Sequence, residues 1–525
     1  MRKVEIFDST LRDGSQAEGI SFSLSDKIRI VHLLDELGVD YIEAGNPGSN
    51  PKDIAFFEEV SKHPLRIAEL VAFGSTRRPN AKAEEDANLN SIISSGVSVA
   101  AIFGKSWDFH VTDVLRVSLD ENLRMIKDSI SYLVSKGIKV FFDAEHYFDG
   151  YKNNKEYALE TLKTALDAGA DTLVLCETRG GVLPLEVYNI VLETKKLFPT
   201  ARLAIHAHDD SGCAVASSIM AVQAGCEQVQ GTLIGFGERC GNANLSTIIA
   251  DIELKLGFKC ISASLSLLSE KCMTLSSICN INIPSGMPYI GSGAFAHKGG
   301  MHIDGVLKNS KTFEHENPAF VGATRRLIMS EVAGRALLMD RLSKIIPDLK
   351  KESEEAKRLI ALLKEKESEG YQYEGAEASF ELLVRRSLNS YQNFFSLVHY
   401  QTTGLKPYAD PTSGATHSAV VKVSVYGESA IAAAEGQGPV NALDMALRKV
   451  LENFYPSLRR VILTDYKVRV LEGDGATASR VRVVIDSSDG VKKWSTTGVS
   501  TDIIEASWIA LADSIEYKLI QDRRR

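Results

Sequence analysis

Ile6-Phe7-Asp8-Ser9-Thr10-Leu11-Arg12-Asp13-Gly14-Ser15-Gln16, near the start of the chain, is a short apolar run that ends in an arginine and an aspartate. Gly14 follows directly and lets the backbone turn away from the run. Many α/β barrels begin an active site in this way, with a strand that carries charged side chains to its C-terminal end. If later strands end similarly, the stretch predicts a barrel with its site at one rim.

Outward from this stretch, the first half of the chain alternates β-type apolar runs with amphipathic helical segments. The eight strand-like runs are 4–7, 41–44, 67–73, 97–103, 138–143, 172–176, 203–207 and 228–232. The helical segments between them include 26–37, 119–135, 155–167, 185–197 and 214–224. Eight buried strands with crossover helices over about 250 residues predict a (β/α)₈ TIM barrel. An open doubly wound sheet would need a glycine-rich turn after its first strand, where this chain has Arg12-Asp13-Gly14.

Composition limits the classes of protein to which the chain can belong. Its 525 residues are 44% hydrophobic and 24% charged, which is an ordinary globular composition. The formal net charge of -8 argues against a nucleic-acid partner, which would favour a basic face. The seven cysteines include no CxxC pair, and no stretch is apolar for long enough to cross a membrane. We therefore expect a cytoplasmic protein with no nucleic-acid and no membrane partner.

Two histidines at the end of the seventh run suggest a metal site. His206 and His208 are two residues apart, so on a strand both side chains project to the same side. His-x-His alone is a weak signal, because a hydrogen-bonded structural pair explains it about as well. Barrel strands converge at their C-terminal ends, so Asp13 is expected beside the pair. Asn242, in the glycine-rich loop after the eighth run, can reach the same point.

Such a mixed set of oxygen and imidazole ligands favours a divalent ion, Mn, Zn or Mg, with positions left open for a substrate. A 2-keto acid could fill two of those positions, and the ion would then act as a Lewis acid on its keto carbonyl. Arg12, beside Asp13, is expected to stabilise the alkoxide that develops. Glu43, at the end of the second run, is the expected partner of Arg12, because buried arginines need carboxylates.

Four further side chains at the same rim are candidates for substrate contact. Asp143 and Glu145 share one strand face after the fifth run, and either could exchange a proton with substrate or water. The alternative is a solvated acidic strand end. Thr178, after the sixth run, could hold a substrate carboxylate, although a threonine there is more often a plain turn residue. Gln16, at the end of the opening stretch, is assigned to the substrate site.

Four motifs, in the same order, resemble the acyltransferase family that contains 2-isopropylmalate synthase, homocitrate synthase and citramalate synthase. They are residues 8–14 (DSTLRDG), 206–208 (HAH), 237–242 (GERCGN) and 300–305 (GMHIDG). Each is short, but the similarity runs over nearly the whole chain. Residues 295–300 and 498–508, with Gly322, are most similar to the citramalate branch. Residues 304–309 are more similar to the isopropylmalate branch.

The resemblance implies a Claisen-type condensation, in which acetyl-coenzyme A adds to a short 2-keto acid and water cleaves the thioester. The metal ligands, or close neighbours of the metal, would then be Asp13, His206, His208 and Asn242. Arg12 would polarise the keto group, and Glu145 and His302 would belong to the acid-base machinery. Pyruvate is the expected keto acid, on the path to isoleucine.

Three other functions remain open. The first is condensation of acetyl-coenzyme A with 2-oxoisovalerate, the isopropylmalate synthase reaction on the path to leucine. The second is a metal-dependent lyase or carboxyltransferase on the same barrel, and the third is a catalytically silent metabolite sensor. Phe313 stands where relatives commonly carry a tyrosine, which would fit a decayed site. Retention of Arg12, Asp13, His206 and His208 argues against the sensor.

The sequence predicts three parts: a catalytic barrel over 1–275, helical linker subdomains over 276–386, and a C-terminal α+β domain over 387–525. The last part shows a weak internal repeat, in which strands lead through a glycine turn to an amphipathic helix. The resemblance implies a regulatory domain that binds an end-product amino acid, with isoleucine expected in the citramalate branch. The expected assembly is a homodimer, the commonest arrangement of soluble oligomers.

Overall fold

The computed structural model describes residues 2–48, 51–62, 64–327, 341–343, 345–347, 349, 353–373, 375–388, 391–404, 416–471 and 479–523. The chain divides into two compact units. The first comprises residues 1–296 and 310–326, and the second comprises residues 297–309 and 327–525.

Eight parallel strands of the first unit close into a barrel, in the order in which they occur along the chain. They are β1 Glu5–Asp8, β2 Tyr41–Glu43, β3 Glu69–Ser75, β4 Val99–Lys105, β5 Lys139–Glu145, β6 Thr172–Glu177, β7 Arg202–Ala207 and β8 Gln228–Gly231. The ring closes where β1 pairs with β8, with Phe7 opposite Gln230. The (β/α)₈ barrel predicted from the alternating pattern is therefore confirmed.

Aromatic side chains fill the interior of the barrel. Phe7, Tyr41 and Phe141 are buried there together with small and branched residues of the neighbouring strands. The Tyr41 and Phe141 ring centroids lie 4.9 Å apart in an edge-on arrangement, and those of Phe7 and Phe141 lie 6.0 Å apart. Because the interior is packed, a substrate has to bind at the rim, where the strands end.

Among the described residues, ten helices surround the barrel or follow its last strand. They are α1 Leu24–Leu37, α2 Pro51–Ser61, α3 Ala87–Ser94, α4 Leu119–Ser135, α5 Tyr147–Asn153, α6 Lys155–Asp167, α7 Pro184–Leu197, α8 Ala214–Ala224, α9 Leu245–Leu254 and α10 Leu268–Cys279. Ser23 and Asp26 form a reciprocal capping box at the start of α1. Gly38 ends that helix with φ 81°, a conformation that glycine adopts without strain.

The second unit contains two copies of a three-stranded antiparallel sheet followed by a helix. The first copy is β9 Ser396–Gly404, β10 His417–Val425, β11 Glu428–Gly436 and α11 Pro439–Leu451. The second is β12 Ile462–Val470, β13 Val481–Ser488, β14 Lys493–Ser500 and α12 Ile503–Arg523. The repeat that the sequence indicated is therefore present in the structure, and the two copies share one apolar core.

Before the first repeat, the described part of the second unit includes the helices Gly300–Lys308, Glu354–Ser368 and Glu377–Arg386. The last of these packs on the repeat core, where Ser379 Oγ donates to Asp513 at 2.7 Å. Arg386 pairs with Asp513 at 2.7 Å as well, so this helix is tied to the C-terminal helix. In the described part of the chain, no helix is both long enough and apolar enough to cross a membrane.

Candidate active site

Arg12 lies just after β1, with its guanidinium between two carboxylates. Its Nε donates to Glu43 Oε2 at 2.7 Å, and its NH1 lies 3.1 Å from Asp13 Oδ2. The guanidinium carbon also lies 4.0 Å from the centroid of the Phe73 ring. Burial disfavours the charged guanidinium, yet Glu43 and Asp13 together raise the pKa of Arg12 above its ordinary value. Arg12 therefore stays cationic and is held in one orientation.

Asp13, His206 and His208 form one buried cluster at the rim. The Nε2 atoms of His206 and His208 lie 3.3 Å and 3.9 Å from Asp13 Oδ2. One potential ligand atom from each of the three residues lies within 4.8 Å of the other two. The two histidines are brought there by β7 and the residue that follows it, and the aspartate by the turn after β1.

The donor set of this cluster fits a divalent ion. Gln230 Oε1 lies 3.1 Å from His206 Nδ1, which fixes that ring and leaves Nε2 turned toward Asp13. Asn242 is buried, and within the described structure neither its side-chain oxygen nor its nitrogen has a hydrogen-bond partner. A Cβ at Gly237 would lie 2.1 Å from Asn242 Nδ2, so only glycine leaves room for that amide. A carboxylate, two imidazoles and an unsatisfied amide are ligands for Mn, Zn or Mg.

Metal binding requires neutral imidazoles and an ionised carboxylate, and His208 and Asp13 meet this requirement. At His206 burial lowers the pKa, but the hydrogen bond and charge of Asp13 raise it above its ordinary value, so an ion would have to displace any proton that this ring carries. Burial and the neighbouring His206 lower the pKa of His208 to about 4. Burial opposes ionisation of Asp13, but Arg12 and His206 hold its pKa well below the usual range. His208 is therefore neutral, and Asp13 charged, near neutral pH.

A cavity of about 240 Å³ opens beside the cluster. Its lining residues include five of the six that the sequence assigned to substrate or proton transfer, namely Arg12, Gln16, Asp143, Glu145 and Thr178; the sixth, His302, is not among them. Burial, followed by the charge of Glu43, raises the pKa of Asp143 to about 7. Glu145 forms an ion pair with Lys105. Thr178 Oγ1 accepts a hydrogen bond of 2.9 Å from the backbone N–H of His146, so its own hydroxyl proton remains available.

His302 lies on the helix Gly300–Lys308 of the second unit, and its assigned role stays a prediction. Phe313 belongs to the barrel unit, and its side chain is 46% exposed.

Sequence reasoning missed three residues that hold the site residues in place: Lys105, Gln230 and His146. Strand register is the signal that would have revealed two of them. Lys105 pairs with Glu145 across β4 and β5, and Gln230 pairs with His206 across β7 and β8. His146 acts on Thr178 through its backbone, and no sequence pattern predicts that contact.

Comparisons with known proteins agree with this architecture. Residues 3–276 match the HMGL-like family model, residues 289–370 the homocitrate synthase post-HMGL domain-like model, and residues 374–519 the LeuA allosteric (dimerisation) domain. The (R)-citramalate synthase of Aquifex aeolicus is 51% identical over 523 residues, which cover 99% of this chain and 98% of that protein.

Two proteins of Sulfolobus acidocaldarius separate the branches of the family. Its (R)-citramalate synthase is 46% identical over 521 residues, which cover 99% of this chain and 97% of that protein. Its 2-isopropylmalate synthase is 34% identical over 333 residues, which cover 63% of this chain and 83% of that protein. The chain therefore belongs to the HMGL-like family and, within it, to the (R)-citramalate synthases.

Proposed function

We propose that the chain condenses acetyl-coenzyme A with pyruvate and water to give (R)-citramalate and free coenzyme A. The observation that carries this proposal is the full-length identity to relatives named (R)-citramalate synthase, at 43% to 51% for five of them. The barrel supplies the groups that such a reaction needs. The Arg12 guanidinium, the potential metal ligands Asp13, His206 and His208, and proton-transfer groups line one cavity.

The keto acid would bind at the cluster of potential metal ligands. Asp13, His206 and His208, with Asn242 beside them, would hold a divalent ion, which when bound supplies Lewis-acid polarisation of the keto group. Arg12 would polarise the same keto group through its positively charged guanidinium. Its guanidinium is locked by Glu43, so it offers a preorganised donor to the oxygen on which negative charge develops.

Thr178 and the cavity walls fit a short keto acid. The Thr178 hydroxyl accepts from the His146 N–H and can donate its own proton to a substrate carboxylate. The Phe73 and Phe103 rings stack 5.5 Å apart along the cavity, which gives the substrate methyl group an apolar wall. Gln16 also lines the cavity and is a further polar contact for substrate.

Proton transfer is assigned to Glu145, which lines the cavity beside Lys105. A base removes a proton from the acetyl methyl group, the resulting carbon nucleophile forms a bond to the keto carbon, and the keto oxygen takes up a proton. Water then adds to the thioester, and the carbon–sulfur bond breaks to release the thiol. His302 is the second proposed acid-base residue, and its helix belongs to the second unit.

The C-terminal repeats are proposed to bind an amino-acid effector, isoleucine, and to take part in a homodimer. The match of residues 374–519 to an allosteric (dimerisation) domain supports both statements. Isoleucine should inhibit the full-length chain, and a chain that ends before residue 374 should be insensitive to it. Inhibition that survives this truncation would place the effector site elsewhere.

The proposed reaction is tested by following thiol release with a thiol reagent, in the presence of Mn²⁺, acetyl-coenzyme A and a panel of 2-keto acids. Pyruvate should give the highest kcat/KM, and the product should be identified as citramalate by NMR. A preference for 2-oxoisovalerate would instead assign the isopropylmalate reaction. No release with any keto acid, for a protein that binds Mn²⁺, would overturn the proposal.

A further inference from the structure

His146, the residue after β5, has an unusual backbone conformation beside the proposed active site. Its φ of 59° and ψ of 31° lie in the left-handed region, which residues with a Cβ seldom occupy. Strain of this kind persists only when surrounding contacts hold it, and such contacts cluster at functional sites. His146 is the N-cap of α5, but its side chain makes no capping hydrogen bond, so helix capping does not account for it.

The imidazole of His146 is fixed on two sides. Its Nδ1 lies 3.2 Å from Asp149 Oδ2, and its ring centroid lies 4.1 Å from that of His110. His110 stacks in turn on Trp107, with centroids 5.2 Å apart. Burial and the neighbouring His146 lower the pKa of His110, which favours its neutral form.

The same aspartate also holds the residue after Thr178. Arg179 NH1 donates to Asp149 Oδ1 at 3.2 Å. Asp149 therefore ties together two side chains, each of which directly follows a proposed active-site residue: His146 follows Glu145, and Arg179 follows Thr178. The strained turn at His146 meanwhile directs its N–H at Thr178 Oγ1.

We propose that His146 is a positioning residue for the keto acid, because its imidazole, fixed by Asp149, holds a turn whose N–H orients the Thr178 hydroxyl. This inference rests on the proposed function, in which Thr178 donates to the substrate carboxylate. His146 does not line the cavity, so it acts through Thr178 and the neighbouring Glu145 rather than on the substrate itself.

The test compares three substitutions at this position. His146→Ala removes the ring and disfavours the left-handed turn, and His146→Gly permits the turn but no longer holds it. Each should raise the KM for pyruvate about tenfold, the effect of losing one oriented hydrogen bond, with the KM for acetyl-coenzyme A unchanged. His146→Asn should rescue the KM to within about threefold, because asparagine tolerates this conformation and keeps a polar group.

A double-mutant cycle asks whether the effect passes through Thr178. In a Thr178→Ala background, His146→Ala should change the KM for pyruvate by less than about twofold, because the group that it positions is already absent. The matched control is Lys152→Ala. Lys152 lies in α5, the helix that follows His146, and pairs with Glu186, so its loss should leave both KM values unchanged. The inference would be overturned if His146→Ala raised the KM values for both substrates equally. It would also be overturned if His146→Asn failed to restore the KM for pyruvate, or if the effects of the two substitutions on that KM multiplied in the double variant.

A measurement that needs no turnover separates this inference from the proposed function. Hydrogen exchange should show a protected His146 amide in the wild-type protein, and both Thr178→Ala and Asp149→Ala should accelerate its exchange by about tenfold. If the wild type releases no thiol with any keto acid but both variants accelerate exchange of the His146 amide, the proposed function fails and the positioning of Thr178 by His146 stands. If exchange of this amide is unchanged in both variants, the positioning role is refuted.

Discussion

Replacing Glu43 by glutamine should separate the charge that orients Arg12 from the shape of the site. Glu43 is completely buried, and its Oε2 accepts hydrogen bonds from Arg12 Nε at 2.7 Å and from Ser9 Oγ. Glutamine has nearly the same size and keeps an oxygen for both donors. The substitution therefore removes the negative charge while it leaves the packing of β2 intact.

Two terms set the expected loss of stability. A hydrogen bond between charged groups contributes about 1.5 to 3 kcal/mol, and its neutral replacement contributes about half as much. The amide nitrogen would occupy the site of Oε1, which has no hydrogen-bond partner in the described structure, and an unsatisfied buried N–H costs about 1 to 3 kcal/mol. Glu43→Gln should therefore lower the free energy of unfolding by about 3 kcal/mol, measured by urea denaturation.

Activity should fall further than stability alone would predict. Without the Glu43 charge, Arg12 is drawn toward Asp13, whose Oδ2 already lies 3.1 Å from NH1. Loss of one preorganised donor from a developing oxyanion costs roughly 100-fold in kcat. Arg12 would also compete with the ion for Asp13, so calorimetric titration should show weaker Mn²⁺ binding.

The matched control is Glu5→Gln at the opposite end of the barrel. Glu5 begins β1 and pairs with Arg202 at 2.5 Å, and its side chain is 20% exposed. Loss of this pair should cost about 1 kcal/mol or less and leave kcat unchanged. If Glu43→Gln keeps kcat within about threefold of wild type while the protein is destabilised, Glu43 supports only the fold, and the assigned orientation of Arg12 is refuted.

Three other substitutions test the same rim. Asp13→Ala should abolish metal-dependent thiol release and Mn²⁺ binding, and near-normal turnover would show that the ligand assignment is wrong. Gly237→Ala places a Cβ 2.1 Å from Asn242 Nδ2, so metal affinity should fall at least tenfold in a folded protein, and unchanged affinity would remove Asn242 from the metal site. Burial raises the pKa of Glu177 to about 7 from 4.5, so the native state binds the extra proton, and this stabilisation is complete below pH 4.5 and disappears as the pH rises through 7. Relative to Glu177→Gln, wild type should therefore lose up to about 3 kcal/mol of unfolding free energy between pH 4.5 and pH 8 in denaturation experiments, and parallel pH profiles of the two proteins would contradict the raised pKa of Glu177.

The strands of the barrel were predictable because buried parallel strands form unbroken apolar runs, which differ from the periodic pattern of the helices. Their C-terminal ends then led to Asp13, His206 and His208, since all barrel strands end at the same rim. The helices α2 and α3 were not among the predicted segments. With 8 residues, α3 carries little more than two turns of the helical pattern, whereas α2, with 11, is as long as the predicted α8, so its length does not explain the omission.

The contacts that orient the site were harder to predict, because they depend on which residues of adjacent strands stand side by side. Apolar runs locate a strand to within a residue or two, and an error of one residue turns a side chain to the other face. Glu43 was assigned to Arg12 on charge alone, and the structure shows that contact. The partnership of His146 with Thr178 depends on a positive φ at a histidine, which no periodicity reveals.

The supporting contacts share one geometric rule. Arg12 follows β1 and is held by β2, Glu145 ends β5 and pairs with β4, and His206 on β7 is fixed by β8. In each case the orienting residue comes from the adjacent strand. For Glu145 and His206 it is the direct register partner, whereas Arg12 lies beyond the end of β1. The register of the closed barrel thus determines where the carboxylate and the imidazole point. A substitution that weakens one strand pair should therefore disturb only the functional side chain held by that pair, so effects at distant pairs should add independently.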